Sequence, residues 1–243
     1  PLNDPDTLEI FRSTKSLNVK PEDINCEVGA FGIPEFGTPF VRKMLIEIKP
    51  SNLDDLIRIS GLSHGTDVWT NNAQELVKSG IAHISQVISV RDDIMNYLID
   101  KGIEKGLAFE IMEFVRKGLT NKNVELWQKY IDIMRKHKID DWYINSCKKI
   151  KYMFPKGHAV AYVIMAVRIA YFKVHYPLAF YAAFLTRKVD SFDYEYMNVK
   201  DRDLIRNKIK EYENKGGLDV TDKWELSILE ILLEMSYRGI SLL

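Results

Sequence analysis

KGHAVAYVIMAVRIAYFKVHYP, residues 156–177, decides how this chain folds. It is apolar for most of its length, has no glycine after Gly157, and stops at Pro177, which cannot continue a helix. The run predicts one long helix from Lys156 to Tyr176. On a 3.6-residue period His158, Tyr162, Met165, Ile169, Phe172 and Lys173 share one stripe, with Arg168, Tyr171 and His175 on an adjacent one. A bilayer span needs about 20 apolar residues. Arg168 and Lys173 interrupt this one, so a membrane segment is not expected.

Around this helix the charge is segregated. From Trp142 to Val189 there is no Asp or Glu, while Lys148, Lys149, Lys151, Lys156, Arg168, Lys173, Arg187 and Lys188 all fall inside. The whole chain is neutral, with 34 basic and 34 acidic residues, so the imbalance is local. A surface of this kind suits phosphates. Tyr152, Phe154, Tyr162, Tyr171, Phe172 and Tyr176 interleave with the cations. Such rings can stack on bases, and they are also ordinary core residues. The start of the helix at Lys156–His158 offers backbone N–H groups that favour phosphate.

Outward from that run the signals stay helical. Asp4 before Pro5 reads as an N-cap with proline at the first helical position, opening a helix through Leu8, Ile10 and Phe11. GAFGIPEFGTP, residues 29–39, reads as loop. Helix resumes near Val41 and Met44 and stops before Pro50. Residues 53–80 read as helix, turn, helix, with Asn72 and Glu75 as a capping box. Helices follow at 92–100 and 104–117, split at Gly102, and at 123–137. After Pro177 a helix reaches about Arg187. Residues 190–200 read as irregular. Helices at 201–214 and 222–238 complete the chain, the last capped by Asp222 with Glu225 and closed by Gly239. No alternating run suggests a strand. The expectation is an all-α fold with at most a small hairpin.

Two further patterns are candidate contacts. ISGLSHGTD, residues 59–67, places Ser63, His64, Gly65 and Thr66 in a glycine-bearing turn. Such a turn can bring N–H groups to a phosphate, or merely connect two helices. Arg116-Lys117-Gly118 is a basic helix end, favourable to the helix dipole whether or not it binds anything.

Other classes of function find little support. Cys26 and Cys147 are far apart and the five histidines form no ligand spacing, so neither a disulfide framework nor a structural metal site is expected. A composition of 46% hydrophobic and 28% charged residues is that of a folded, core-forming chain. No leader sequence is evident, and a cytoplasmic setting is expected. The sequence opens on Pro1 without methionine and closes on Gly239–Leu243, which reads as a piece of something larger.

CKKIKYMFPKGHAVAYVIMAVRIAYFKVHYPLAFYAAFLT (147–186) resembles the fingers of C-family bacterial DNA polymerase III alpha subunits. The likeness is closest to the PolC type of low-GC Gram-positive bacteria and their mycoplasma-like relatives. FGIPEFGTPFVRKML (31–45), ISGLSHGTDVW (59–69) and VRDDIMNYLIDKG (90–102) carry the same resemblance, which spans essentially the whole chain.

The resemblance implies an irregular multi-helix fingers domain of a replicative polymerase. Its core would be residues 1–189, including the nucleotide-facing helix 156–176, and residues 190–243 would lead on toward downstream domains. It implies primer–template DNA and deoxynucleoside triphosphates as partners, together with the palm and other domains of the same polypeptide. A sliding clamp would be met through other segments. Mg²⁺ would be bound by palm aspartates outside this chain, so no catalytic or metal-binding residue is assigned here and the isolated piece should not polymerise. Carried over residue by residue, Arg116 and Lys117 fall near the incoming triphosphate. Lys156, His158 and Tyr162 fall on the helix facing the nascent base pair, with Arg168, Tyr171 and Lys173 further along, and Ser63, His64, Gly65 and Thr66 face the active site. Gly157 stands where the family pattern has alanine or serine. The rival readings are a stand-alone helical nucleic-acid-binding module and a helical scaffold.

Overall fold

The computed structural model describes residues 2–188, 190 and 201–241. In chain order its α-helices are α1 (Pro5–Glu9), α2 (Pro21–Ile24), α3 (Pro39–Ile48), α4 (Leu53–His64) and α5 (Gln74–Lys78). Then come α6 (Arg91–Asp100), α7 (Lys105–Arg116), α8 (Val124–Lys136) and α9 (Asp141–Lys149). The last four are α10 (Lys156–His175), α11 (Pro177–Thr186), α12 (Arg202–Asn214) and α13 (Val220–Tyr237). Among the described residues there is no strand beyond an isolated antiparallel bridge between Thr66 and Tyr152. The all-α expectation holds. The expected irregular stretch 190–200 lies almost entirely outside the described residues, and so does the division after Val189.

The chain packs as two compact units, one of residues 1–53 with 164–243, the other of residues 54–163. In the first, α1 starts as its sequence predicts. Asp4 accepts from Thr7 N at 2.9 Å and Pro5 follows. His175 Nε2 lies 2.8 Å from the same Asp4 carboxylate, and that bond above all holds the Asp4 carboxyl down to about 2. The core gathers Ile10, Phe11, Phe36 and Leu45 with Ile205, Ile228, Leu229 and Ile231. The loop 29–37 is anchored by side chains from later in the chain. Lys173 Nζ donates to Gly29 O at 2.8 Å and to Phe31 O at 2.7 Å. It also pairs with Glu234 at 2.8 Å, both side chains fully buried. Tyr181 Oη donates to Glu234 Oε1 at 2.7 Å. Arg42 holds Gly37 O at 2.7 Å and forms a two-pronged pair with Glu230 at 3.0 and 2.6 Å.

In the second unit α6 packs along α7, Tyr97 stacks on Tyr143 at 4.2 Å, and Phe114 lies between Trp127 and Tyr130. Asp93 closes the start of α6 by accepting from Ser89 N and Val90 N at 2.9 and 3.1 Å.

Three local expectations are corrected. Asn72 does not cap a helix. Its amide is buried and donates to Asp67 O at 2.9 Å and Ser146 O at 3.1 Å, while Ser146 Oγ donates back at 2.7 Å. The N-cap of α13 is Asp219, with Asp222 at the third helical position, so the helix opens earlier than expected. Helix α9 was not anticipated, because its single turn of buried residues, Tyr143, Ile144 and Cys147, is interrupted by polar ones.

Helix α10 forms over the long apolar run as its sequence predicts. With a mean hydropathy of 1.3 it is apolar and long enough to cross a bilayer. Its two faces differ by size rather than by polarity. Ala159, Val163, Ala166, Val167 and Ala170 are buried, whereas Tyr162, Met165 and Phe172 are 46%, 57% and 51% exposed. Small residues let the backbone approach its neighbours closely, and the bulky side chains are left outside.

Candidate functional site

The second unit contains a short extended strip, residues 151–155, between the end of α9 and the start of α10. Ile150 has β-region angles and ends α9, and Pro155 favours an extended residue before it. Two other segments bond to this strip and a third sits against it. Thr66 N donates to Tyr152 O at 2.9 Å and Lys151 N donates to Thr66 O at 3.0 Å. Arg91 N donates to Phe154 O at 3.1 Å. At the end of α7, Gly118 has φ +63° and a Cβ there would stand 2.6 Å from Lys151 O. No larger residue fits at Gly118, so the glycine that closes the basic helix end also lets it sit against the strip.

The strip therefore gathers three of the sequence patterns: the 63–66 turn, the 116–118 helix end, and the start of α10. Along it runs an aromatic series. Tyr152 meets Phe154 edge-on at 5.4 Å, and His64 meets Phe154 at 5.6 Å. Phe154 stacks on His158 at 5.0 Å, and His158 meets Tyr162 at 4.5 Å. Tyr152 and Tyr162 are 44% and 46% exposed, so the ends of the series are open to solvent. The core reading of Tyr162 does not hold.

The cations beside this series are organised by one carboxylate. Glu113 accepts from Arg116 Nε at 2.5 Å and Nη2 at 2.9 Å, and Lys117 Nζ lies 3.1 Å away. Arg91 Nη1 is 3.7 Å from the same group. The Arg116 hydrogen bonds, followed by Lys117, hold the Glu113 carboxyl down to about 2. It is therefore ionised throughout the neutral range, and the cluster keeps a surplus of positive charge. Lys156, at the start of α10, is exposed.

Two expected phosphate-binding features are already occupied. Asp92 accepts from Lys156 N at 2.7 Å and so takes a free donor of the α10 terminus. In the 63–66 turn, Gly65 N bonds to Gly61 O and Thr66 N to Tyr152 O. Ser63 Oγ donates to Ser60 O at 2.9 Å, and His64 Nδ1 lies 2.8 Å from the same carbonyl. This turn fastens the strip by its backbone and does not present N–H groups.

Arg168, Tyr171 and Lys173 belong to the other unit. Arg168 is exposed and the Tyr171 ring lies 4.4 Å from His175. Lys173 is a correction. It lies on the small-residue face of α10, is fully buried and is spent on Glu234 and two carbonyls. Burial lowers its pKa while Glu234 partly offsets that. Its ammonium is bonded to three acceptors inside the protein. Conversely, Tyr152, Phe154, Arg91 and Glu113 join the site without having been singled out for it. Tyr152 and Phe154 stood in the acid-free run. Glu113 could be found only from its place three and four residues before Arg116 and Lys117.

Residues 1–138 match the family described as bacterial DNA polymerase III alpha subunit finger domain. The chain belongs to that finger-domain family. Its curated relatives are named DNA polymerase III PolC-type. Those from Thermotoga petrophila and Oceanobacillus iheyensis are each 55% identical over 243 residues, covering 100% and 99% of this chain. That from Staphylococcus haemolyticus is 52% identical over 240 residues and covers 98% of it. The match spans only 17%, 16% and 16% of these relatives' own lengths. This finger-domain chain thus spans about one sixth of the length of these PolC-type relatives.

Proposed function

We propose that this chain is the fingers part of a replicative DNA-directed DNA polymerase of the PolC type, acting in the cytoplasm on primer–template DNA and deoxynucleoside triphosphates. The observation that carries the reading is the open aromatic series Tyr152–Phe154–His158–Tyr162 beside the Arg91–Arg116–Lys117 cluster. Rings meet bases and the cations meet phosphates. Phosphoryl transfer itself would fall to palm aspartates outside these residues, which would hold Mg²⁺, and the metal would supply charge neutralisation for that step. The chain's own residues bind, orient and neutralise charge. Alone, it does not polymerise.

Two measurements test this. The isolated chain binds labelled primer–template weakly, and its affinity falls steeply as salt rises, because each phosphate contact releases counterions. Equal affinity at two ionic strengths, or no binding at low salt, contradicts the reading. In the full-length polymerase, Tyr162→Ala leaves the melting temperature nearly unchanged, since the ring is 46% exposed. Nucleotide incorporation drops by the equivalent of about 1–3 kcal/mol, the worth of one base–aromatic stack. A stable variant with normal incorporation removes Tyr162 from the site.

A further inference from the structure

The start of α6 and the end of α7 place three cations, Arg91, Arg116 and Lys117, around the single carboxylate of Glu113. At a site for polyphosphate a carboxylate is at first sight a liability, since it repels the ligand. Its geometry suggests another role. Glu113 is the more enclosed member of each pair, with 19% of its side chain exposed against 35%, 23% and 52% for Arg91, Arg116 and Lys117. Its two oxygens take the Nε and Nη2 edge of the Arg116 guanidinium. A guanidinium carries five N–H donors in a rigid fork. Fastening one edge leaves the Nη1 side, which has no partner among the described residues, fixed in direction. Without the carboxylate, three like charges would repel and each long side chain would sample many rotamers.

We propose that Glu113 is a positioning residue, which holds Arg116 and with it Lys117 and Arg91 in the arrangement that receives the triphosphate. This rests on the reading of Arg116 and Lys117 as triphosphate contacts. Two effects of removing the charge oppose each other. Loss of the carboxylate makes the cluster more positive, which favours an anion, but the gain is small between partly exposed charges in water. Loss of preorganisation frees up to three long side chains, whose ordering must then be supplied by nucleotide binding. The second effect outweighs the first.

The test uses the full-length polymerase with Glu113→Gln, Arg116→Ala and the double variant, reading KM for deoxynucleoside triphosphate, kcat, and the fraction of active enzyme by burst amplitude. Glu113→Gln should raise KM by about fivefold with kcat nearly unchanged. Arg116→Ala should raise it further, and the double variant should fall short of the two single effects combined, because part of the Glu113 effect runs through Arg116. An unchanged or lowered KM in Glu113→Gln overturns the proposal while leaving the triphosphate reading intact, as does a full additional loss in the double variant. A smaller active fraction with normal KM also overturns it, since the residue would then serve the fold only. If Arg116→Ala itself leaves KM and kcat unchanged, the underlying reading falls and this proposal with it.

Discussion

Replacing Lys173 with alanine lowers the stability of the chain by about 3–5 kcal/mol, because it leaves the Glu234 carboxylate buried without its cation. For a chain of this length that is a fall of roughly 6–20 °C in melting temperature. The ammonium is bonded to Glu234, Gly29 O and Phe31 O at once, so its loss also releases the loop that follows α2. Thermal or urea unfolding of the single variant measures the effect. Lys173→Met combined with Glu234→Leu recovers much of the loss, since apolar replacement of both partners removes the stranded charge. A single variant as stable as the parent would mean that water reaches Glu234. A Lys173 variant with normal stability and weakened nucleotide binding would restore the sequence expectation that this lysine meets the ligand.

Replacing Arg116 with alanine has the opposite signature. Its ion pair with Glu113 lies at the surface, where such pairs contribute about 0–1 kcal/mol, so the melting temperature changes little. In the full-length polymerase, kcat/KM for deoxynucleoside triphosphate falls by the equivalent of about 1.5–3 kcal/mol, the loss of a charge-assisted phosphate contact. Affinity for primer–template changes much less. Steady-state incorporation at saturating DNA, with a parallel DNA titration, separates the two. Unchanged nucleotide KM and kcat would remove Arg116 from the site.

These two variants mark the boundary between surface and interior that the sequence does not draw. Lys156, His158 and Tyr162 were legible as candidates from the acid-free run and the helix that starts in it, whereas Arg116 and Lys117 were candidates through the family resemblance, and all stand in the unit that carries the strip. Lys173 sits in the same run and was read the same way. Like Arg168, which is exposed, it is a single cation within an apolar helix. What distinguishes it is Glu234, distant along the chain, which only folding brings within 2.8 Å.

Local physics already lies in the sequence. Asp4-Pro5 opens a helix, Arg116-Lys117-Gly118 ends one, and Pro177 stops α10, because capping, left-handed backbone and proline sterics act over a few residues. The acid-free stretch is likewise a property of order along the chain. The tertiary structure decided which face of α10 is buried, since its alanines and valines pack inward by virtue of small size while larger apolar rings stay outside. It decided that the 63–66 turn fastens a backbone strip, that Asp92 occupies an N–H at the start of α10, and that Glu113 gathers cations from two helices. Each of these depends on a partner remote in sequence or across a helix pair, and periodicity carries no information about such distances.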